Sequence, residues 1–331
     1  MTIFRLRGIV AITSLVAGSL IGSATASAQA TRTWISGVGD DANPCSRTAP
    51  CKTFAGAIPK TAAQGEINCI DPGGFGSVTI TKAITLSCEG VTAGVLVAAT
   101  NGINVNVAAG DVVRIRGLDI EGLGTAAGGS LSGINFVGGG TLYVSNTRID
   151  GFGVGSGAGY GISFTPSSNA TLVVDNVELT HNGGVSNPDE SGGVLVQPPA
   201  GITATASITN SVVANGTNAG VRVETLAAGA VANVAISNTV LTNDSTGLLA
   251  HADPGLGTVS VLADNLTVSQ NSATGVRGIG TGATIRIGNS AITGNGIGTK
   301  SASGATVSSY GNNKLNGNTS DGAFSGTIPQ Q

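Results

Sequence analysis

Residues 142–149 read LYVSNTRI, and the same pattern returns as LVVDNVEL at residues 172–179 and as ASITNSVV at residues 206–213. Aliphatic residues alternate with other residues up to an asparagine, and a further aliphatic residue follows three positions later. The pattern is centred on Asn146, Asn176, Asn210, Asn238, Asn265, Asn289 and Asn312, with Gly117 at the corresponding earlier position. The intervals are 29, 30, 34, 28, 27, 24 and 23 residues. Repeats of this length are typical of a solenoid, in which each repeat forms one coil.

The alternation on either side of each central asparagine has period two, which is typical of β-strands. Because the positions two before and three after it are mostly aliphatic, stacked coils would bury two aliphatic ladders. Asparagine and glycine accept the left-handed backbone conformation, which explains why Gly117 can replace asparagine where the chain turns.

A third strand recurs after a glycine, as in Gly133-Ile134 and Gly161-Ile162. Three strands per coil predict an all-β, right-handed parallel β-helix, a solenoid with three faces and about eight or nine coils. A leucine-rich repeat would need a regular leucine framework, which this sequence lacks.

The N-terminus has the features of a secretory signal peptide. Arg5 and Arg7 precede an apolar stretch, and Ala26-Ser27-Ala28 forms an A-x-A cleavage pattern. We therefore predict a signal peptide at residues 1–28 and a single β-helix domain at residues 29–331. That domain divides into an N-terminal cap and first coil at 29–90, further coils at 91–320 and a C-terminal tail at 321–331. The protein is expected in the periplasm, on the cell surface or outside the cell.

The composition excludes some partners. Without the two signal arginines, 13 basic residues face 18 acidic ones, a net charge of −5. An acidic chain with 10% charged residues has no electrostatic basis for binding nucleic acid. After the signal peptide no apolar run is long enough to span a membrane. The sequence leaves the oligomeric state open.

Four cysteines lie early in the chain, at positions 45, 51, 69 and 88. An even number in an exported protein favours disulfides, for which three pairings exist. We prefer Cys45–Cys51, which closes a small loop, and Cys69–Cys88, which joins neighbouring strands. A zinc site is the alternative, although the C-x2-C spacing of common zinc sites is missing.

Three further segments carry a resemblance to a known family. Residues 34–44 read WISGVGDDANP, residues 49–58 read APCKTFAGAI, and residues 71–86 read DPGGFGSVTITKAITL. Together they resemble the opening of secreted right-handed parallel β-helix proteins of the pectin-lyase-like superfamily. In such proteins the KTF segment begins a short capping helix, and Pro59 should break that helix after one or two turns.

The resemblance implies a polysaccharide lyase, hydrolase or epimerase, but a fold does not by itself confer an activity. The Asn-Thr-Asp, Asp-Asp, His-Gly and Arg-Ile-Lys series of the resembling polygalacturonases is missing. No cofactor is expected, although Ca²⁺ would be the cofactor of an enzyme of this family.

One charged cluster stands out in the sequence. Its residues follow successive central positions and should share one outward flank on coils 117–196. The candidate catalytic residues are Asp119, Arg148, Glu178 and His181, and the candidate metal ligands are Glu121 and Asp150. In the functional interpretation His181 is a base and Arg148 contacts a sugar carboxylate. In the structural interpretation Arg148 bridges Asp119 and Glu178 as a surface ladder. Tyr143 and Tyr160 are the few aromatic candidates nearby.

We predict no site at three other basic residues. Arg222 and Arg277 are expected on a solvated face, and His251 is expected too far from His181 to share a site. The leading hypothesis is a non-catalytic envelope or extracellular protein that binds glycans along an exposed flank. The alternative is a polysaccharide lyase or hydrolase acting at the charged cluster, and a third possibility is a structural or adhesive rod.

Overall fold

The computed structural model describes residues 29–123, 131–153, 159–184 and 191–329. They form a parallel β-solenoid of about nine turns with one short helical segment near the N-terminus. The predicted all-β parallel β-helix is therefore confirmed. The predicted signal peptide lies outside the described residues. None of the helices among the described residues is long and apolar enough to cross a membrane.

Each coil contributes strands to three faces, which we call face one, face two and face three. Face one consists of Ala30–Ile35, Thr61–Cys69, Ile84–Ser87, Val112–Arg116, the first half of Gly140–Asp150, the first half of Ala170–Thr180, Thr203–Thr209, Val231–Ser237, Thr258–Asp264, Ala283–Gly288, Thr306–Ser309 and Gly326–Thr327. Face two consists of Gly73–Gly74, Ala93–Val97, Asp119–Gly122, the second halves of Gly140–Asp150 and Ala170–Thr180, Val212–Ala214, Val240–Thr242, Thr267–Ser269, Ala291–Thr293 and Lys314–Leu315. Face three consists of Val78–Ile80, Ile103–Val105, Ile134–Phe136, Tyr160–Phe164, Gly192–Val196, Ala219–Thr225, Thr246–Ala252, Thr274–Ile279, Ile297–Ala302 and Ser320–Gly322.

The central asparagines form the turn between face one and face two, which we call the first corner. Asn146, Asn176, Asn210, Asn238, Asn265 and Asn289 all have φ between 50° and 53°, and Gly117 has φ 73°. These are left-handed conformations, as the sequence pattern predicted. Hydrogen bonds between side chains also link the coils here, for example from Asn176 Nδ2 to Asn146 Oδ1 at 2.7 Å.

The last coil differs from this prediction at one position. Asn312 does not occupy the left-handed position, which belongs to Gly311 with φ 83°. In the preceding coil the inward residue Ile292 lies three positions after the left-handed Asn289. Its partner Leu315 lies four positions after Gly311, so the last coil has one additional residue at this turn. The Asn312 side chain still reaches the first corner, because its Nδ2 donates to Asn289 Oδ1 at 2.7 Å.

The interior is a narrow stack of aliphatic side chains. Both predicted ladders beside the first corner are buried except at Leu315, which is half-buried, and alternating positions of face three are buried as well. Phe136 and Phe164 stack on adjacent coils with ring centroids 4.6 Å apart. Outward positions such as Thr267 are exposed, so the assignment of inward and outward residues is confirmed.

A second corner, between face two and face three, was not predicted. Its left-handed residues are Gly151, His181, Asn215, Asn243, Gln270, Gly294 and Gly317. The residue after this corner often points inward, and Asn182, Asn271, Asn295 and Asn318 form a polar ladder there. Asn271 is typical, since its Oδ1 accepts from the Asp244 backbone N–H at 3.0 Å and its Nδ2 donates to the Leu241 carbonyl at 3.2 Å. The side-chain amides thus satisfy backbone groups that the turn leaves unpaired.

Asp244 occupies an asparagine position in this ladder. Its Oδ1 accepts from the Gly216 backbone N–H at 2.7 Å, whereas its Oδ2 is buried without a hydrogen-bond partner. A carboxylate has no proton to donate where asparagine has its amide. Burial raises the pKa of Asp244 to about 8, against a smaller opposite effect of the Gly216 hydrogen bond.

The N-terminal cap combines a short helix with two disulfides. Helix α1 (Phe54–Ala57) is capped by Thr53, whose hydroxyl accepts from the Gly56 N–H, and continues as a 3₁₀ turn at Ile58–Lys60. Pro59 therefore shortens the helix as predicted. Cys45 pairs with Cys51 and Cys69 with Cys88, which confirms the preferred pairing and removes these cysteines as zinc ligands. The second bond joins strands of neighbouring coils on face one.

We expect Val213→Asp to destabilise the protein by about 4 kcal/mol or more, because it places a carboxylate in the dry core. Val213 is 1% exposed. Thr267→Asp is the matched control on the same face and should cost less than about 1 kcal/mol, because its side chain is in water. Urea unfolding monitored by circular dichroism measures both. Equal losses in the two variants would mean that the inward register is wrong.

A pH-dependent effect is expected for Asp244→Asn. Between the pKa of an unfolded aspartate, about 3.9, and the raised pKa of folded Asp244, the native state binds one more proton than the unfolded state. This group therefore lowers the free energy of unfolding as pH rises through that window, by at most about 1.4 kcal/mol per pH unit. The stability gained by Asp244→Asn should grow from pH 4 to pH 8 and then stay level.

Urea midpoints of the wild type and Asp244→Asn between pH 4 and pH 9 test this expectation. Asp175→Asn is the control, because hydrogen bonds from Thr209 and Asn210 lower the pKa of Asp175. Its stability should differ from that of the wild type by a constant amount between pH 5 and pH 8. Parallel curves for Asp244→Asn and the wild type would contradict the raised pKa.

Candidate functional site

The predicted charged cluster is assembled around Arg148, near the middle of face two. The strand register places Arg148 opposite Asp119 on the preceding coil. Its Nη1 lies 3.0 Å from Asp119 Oδ1 and 2.8 Å from Glu121 Oε1, and its Nη2 lies 3.1 Å from Asp150 Oδ2. One guanidinium therefore contacts three carboxylates from two coils.

Glu178 is the predicted member that stays apart. It pairs in register with Arg148, but the two side chains form no ion pair among the described residues. Arg148 turns instead toward the preceding coil and toward Asp150 on its own strand, so the expected bridge from Asp119 to Glu178 is not formed. Glu178 remains exposed on the outer surface.

Asp150 connects Arg148 to the second corner. Its Oδ1 accepts from the Thr180 hydroxyl at 2.6 Å and lies 2.9 Å from His181 Nδ1. Burial tends to raise the pKa of Asp150, but these hydrogen bonds and the Arg148 charge outweigh it and hold that pKa below its usual value. Because His181 Nδ1 faces Asp150, its Nε2 is directed elsewhere on a side chain that is 63% exposed.

The charges of the cluster interact mainly with one another, because one guanidinium is surrounded by three carboxylates. The pKa of Arg148 is raised, first by the hydrogen bond that it donates to Glu121 and further by Asp119 and Asp150, against a smaller effect of burial. The three carboxylates exceed the charge of Arg148, so the flank as a whole is negative. Side chains about one-third exposed gain little from such pairs, typically under 1 kcal/mol.

An open groove adjoins the cluster at the first corner. Its volume is about 660 Å³, within the range of about 300–1,000 Å³ of ligand sites. Its walls are Cys88, Glu89, Gly90, Val91, Thr92, Ala93, Gly117, Leu118, Asp119, Asn146 and Arg148. The Asn146 Nδ2 donates to Glu89 Oε1 at 2.6 Å. We call this surface the Arg148 groove. It offers carboxylates, an amide and backbone edges, which are groups that bind hydroxyls.

Neither aromatic candidate, Tyr143 or Tyr160, lines this groove. Tyr160 is buried, and the ring of Tyr143 lies 4.9 Å from the guanidinium carbon of Arg114 on face one. Among the described residues, no group of three or more histidine, cysteine or acidic side chains is arranged to hold a metal ion. Asp119, Glu121 and Asp150 converge on Arg148, so a guanidinium lies where a cation would need to bind.

Face three carries a second ionic cluster that the sequence analysis missed. Glu224 accepts from Arg222 Nε at 2.7 Å and from Gln197 Nε2 at 2.8 Å. His251 lies between two carboxylates, with Nδ1 3.7 Å from Glu224 Oε2 and Nε2 3.1 Å from Asp253 Oδ1. The strand register brings these residues together, since Glu224 pairs with His251.

The expectation of a solvated Arg222 is wrong, because Arg222 is 8% exposed and Glu224 is 3% exposed. Burial tends to raise the pKa of Glu224, but His251 and Arg222 outweigh it and keep that pKa below its ordinary value. The arrangement holds a paired, ionised carboxylate, and such pairs occur in structural networks as well as in functional sites.

The sequence matches no protein-family model, and a comparison with curated proteins gives no match. Solved structures do resemble the solenoid. The crystal structure of pectate lyase Pel9A superposes with a TM-score of 0.55 at 15% identity, over 84% of this chain and 74% of that chain. A rhamnogalacturonan lyase superposes with a TM-score of 0.55 at 12% identity, over 80% of this chain and 76% of the other.

The chain has the pectate lyase fold. The suspected resemblance to pectin-lyase-like parallel β-helix proteins is therefore confirmed for the fold. At this level of identity the pectate lyase fold transfers no catalytic residue, so the chemistry of this chain has to be argued from its own side chains.

The arrangement around Arg148 predicts an effect of removing it. In Arg148→Ala the carboxylates of Asp119, Glu121 and Asp150 lose their shared cation, and their mutual repulsion should favour a divalent ion. We expect millimolar Ca²⁺ to raise the melting temperature of Arg148→Ala by several degrees and to leave that of the wild type unchanged. Differential scanning calorimetry with Ca²⁺ or EDTA measures this.

The double variant Arg148→Ala/Asp150→Asn is the control, because it removes one of the three carboxylates and should lose most of the Ca²⁺ effect. A Ca²⁺ response of the wild type as large as that of Arg148→Ala would contradict the view that the guanidinium fills the cation position.

Proposed function

We propose that this protein is exported and binds glycans in the Arg148 groove, without turning them over. The observation that carries the proposal is the groove itself, which is open, polar and formed where Glu89, Asn146 and Asp119 meet at the first corner. A groove open to solvent along a rigid solenoid suits a polymer better than a small metabolite, because a polymer must enter from the side.

The polar lining of the Arg148 groove is suited to a carbohydrate ligand. Hydroxyl groups both donate and accept hydrogen bonds, and the groove offers carboxylate acceptors beside an amide and peptide groups. The two solved structures of similar fold are named as lyases of pectate and of rhamnogalacturonan. A polysaccharide ligand would be in keeping with those neighbours, although their identity to this chain is low.

The charges of the cluster favour binding over catalysis. Arg148 is the basic residue of the groove, and it already contacts Asp119, Glu121 and Asp150. Neutralising a sugar carboxylate would require Arg148 to leave these partners. The arginine is better suited to hold the groove walls in position than to stabilise a developing negative charge.

Export is part of the proposal. Two disulfides in the cap are stable in an oxidising compartment and rare in a reducing one. The A-x-A pattern at Ala26-Ser27-Ala28 supports cleavage after a secretory signal.

A second candidate function follows from the pair Asp150 and His181. A carboxylate that holds Nδ1 of a histidine at 2.9 Å orients the imidazole and favours Nε2 as a proton acceptor. A polysaccharide lyase or hydrolase could use such a base at the edge of the cluster. In this case His181→Ala and Arg148→Ala would each abolish turnover in assays for reducing ends and unsaturated uronates.

The proposal is tested with the purified protein on an array of neutral, amino-sugar and acidic glycans, followed by calorimetric titration. Thr92 is an exposed residue of the groove, and Thr92→Trp should fill the groove and weaken binding about tenfold or more. Thr205→Trp is the matched control, since Thr205 is exposed on face one away from the groove. It should change the affinity less than about twofold.

Melting temperatures close to that of the wild type would establish that both variants are folded. A folded wild type that binds no glycan on the array would contradict the proposal, and so would equal affinities of Thr92→Trp and Thr205→Trp. Turnover that depends on His181 would replace the non-catalytic function with the second candidate.

A further inference from the structure

A second groove lies at the other end of the first corner. Its volume is about 640 Å³, and it is lined by Asp264, Gly288, Asn289, Tyr310, Asn312, Ile328 and Pro329. We call it the Tyr310 groove. It shares no residue with the Arg148 groove.

The extra residue in the last coil shapes this groove. Tyr310 immediately precedes Gly311, which takes the left-handed position. The Tyr310 ring lies against the backbone of Gly288, which has no side chain. A Cβ on Gly288 would lie 3.1 Å from Tyr310 Cδ2. The opposite wall is the end of the described chain, which is held by the hydrogen bond from Ile328 N to the Ser309 carbonyl at 2.8 Å.

The polar wall is rigid because its side chains bond to one another. Asn289 Nδ2 donates to Asp264 Oδ1 at 2.7 Å, and Asn289 Oδ1 accepts from Asn312 Nδ2 at 2.7 Å. The backbone N–H of Asn289 donates to Asn312 Oδ1 at 2.9 Å. These bonds fix the positions of the amides and leave the second oxygen of Asp264 for a ligand, since no described residue bonds to it.

An aromatic ring beside a carboxylate and amides is suited to a pyranose. The ring presents an apolar surface to sugar C–H groups, and the amides and the carboxylate bind hydroxyls. The groove contains Asp264 and no lysine or arginine among its lining residues. A uronate would be repelled here, whereas a neutral sugar would not, and an amino sugar would be attracted.

Both grooves open onto the same first corner. Five coils separate Asn146 from Asn289, which corresponds to about 24 Å along the solenoid axis. Between them the corner presents a row of amides and carboxylates, including the bonds from Asn210 to Asp175 and from Asn265 to Asn238. A linear chain of sugars lying parallel to the axis would meet polar side chains over the whole distance.

We propose that the Tyr310 groove is a second subsite for the glycan that binds in the Arg148 groove, and that this glycan is a linear polymer of neutral or amino sugars. The inference rests on the proposed function, and it adds the direction of the bound chain and its chemical class. Both grooves are negative, so the ligand class differs from the acidic polymers in the names of the two structural neighbours.

The test uses trisaccharides and octasaccharides of β-1,4-linked glucose, mannose, N-acetylglucosamine and glucosamine, whose free amine is cationic, with oligogalacturonides of the same lengths for comparison. In calorimetric titration of the wild type, a trisaccharide of the preferred sugar should bind at two sites per chain. The octasaccharide should bind at one site, about tenfold or more tightly, because its two ends reach both grooves.

Tyr310→Ala should leave one trisaccharide site and lower the octasaccharide affinity about tenfold, to near that of the trisaccharide. Pro329→Trp should fill the groove from an exposed position and should also leave one trisaccharide site and weaken octasaccharide binding. This variant keeps the partly buried Tyr310 ring, so it tests the groove without the risk of unfolding the last coil. Thr205→Trp is again the control and should bind both ligands as the wild type does.

The outcomes separate the two proposals. If Thr92→Trp lowers octasaccharide binding but Tyr310→Ala and Pro329→Trp do not, the second subsite is wrong and the proposed function stands. If no oligosaccharide binds to the folded wild type, the second subsite is wrong, and the proposed function fails as well if the glycan array also shows no binding. If oligogalacturonides bind more tightly than every neutral and amino-sugar oligosaccharide, the ligand class is wrong.

Discussion

The left-handed residue at the first corner is the constraint on which the rest of the structure depends. For L-amino acids this left-handed turn costs least with glycine or asparagine, and this sequence supplies one of the two at the first corner of each coil from Gly117 to Gly311. The turn fixes which neighbours face inward, because the strands on both sides alternate with period two. Every coil therefore stacks its aliphatic residues on those of the coil before, and its outward residues form continuous rows.

Much of this could be predicted from sequence because one residue type marks the first corner. The inward ladders and the preferred disulfides followed from local patterns, whereas the cap helix followed from the family resemblance and its shortening from Pro59. The second corner did not, since His181, Asn215, Gln270 and Gly294 occupy the same position and share no chemical feature beyond the conformation itself. The position of Gly311 was missed for a related reason. The pattern selected Asn312, and a one-residue insertion can only be located when the pairing of the next strand is known.

The candidate site was likewise predicted only in part from the sequence. The sequence register placed Asp119, Arg148 and Asp150 on one flank, because these positions are fixed relative to the first corner. It could not give the direction of the Arg148 side chain, which turns from Glu178 toward Glu121. The cluster of Arg222, Glu224 and His251 was missed because its members meet only through the pairing of face-three strands. The lengths of the connections before those strands vary, so their register does not follow from the asparagine spacing.

The disulfide between Cys69 and Cys88 has a consequence for how the solenoid is built. In a solenoid each coil contacts mainly its neighbours, so ordered structure can spread from one coil to the next. This bond covalently joins two adjacent coils beside the N-terminal cap. The crosslinked coils then present a fixed strand edge to which the next coil can add. Assembly acquires a direction, from the crosslinked coils toward Tyr310, and the coil that completes the second groove is added after those that form the first.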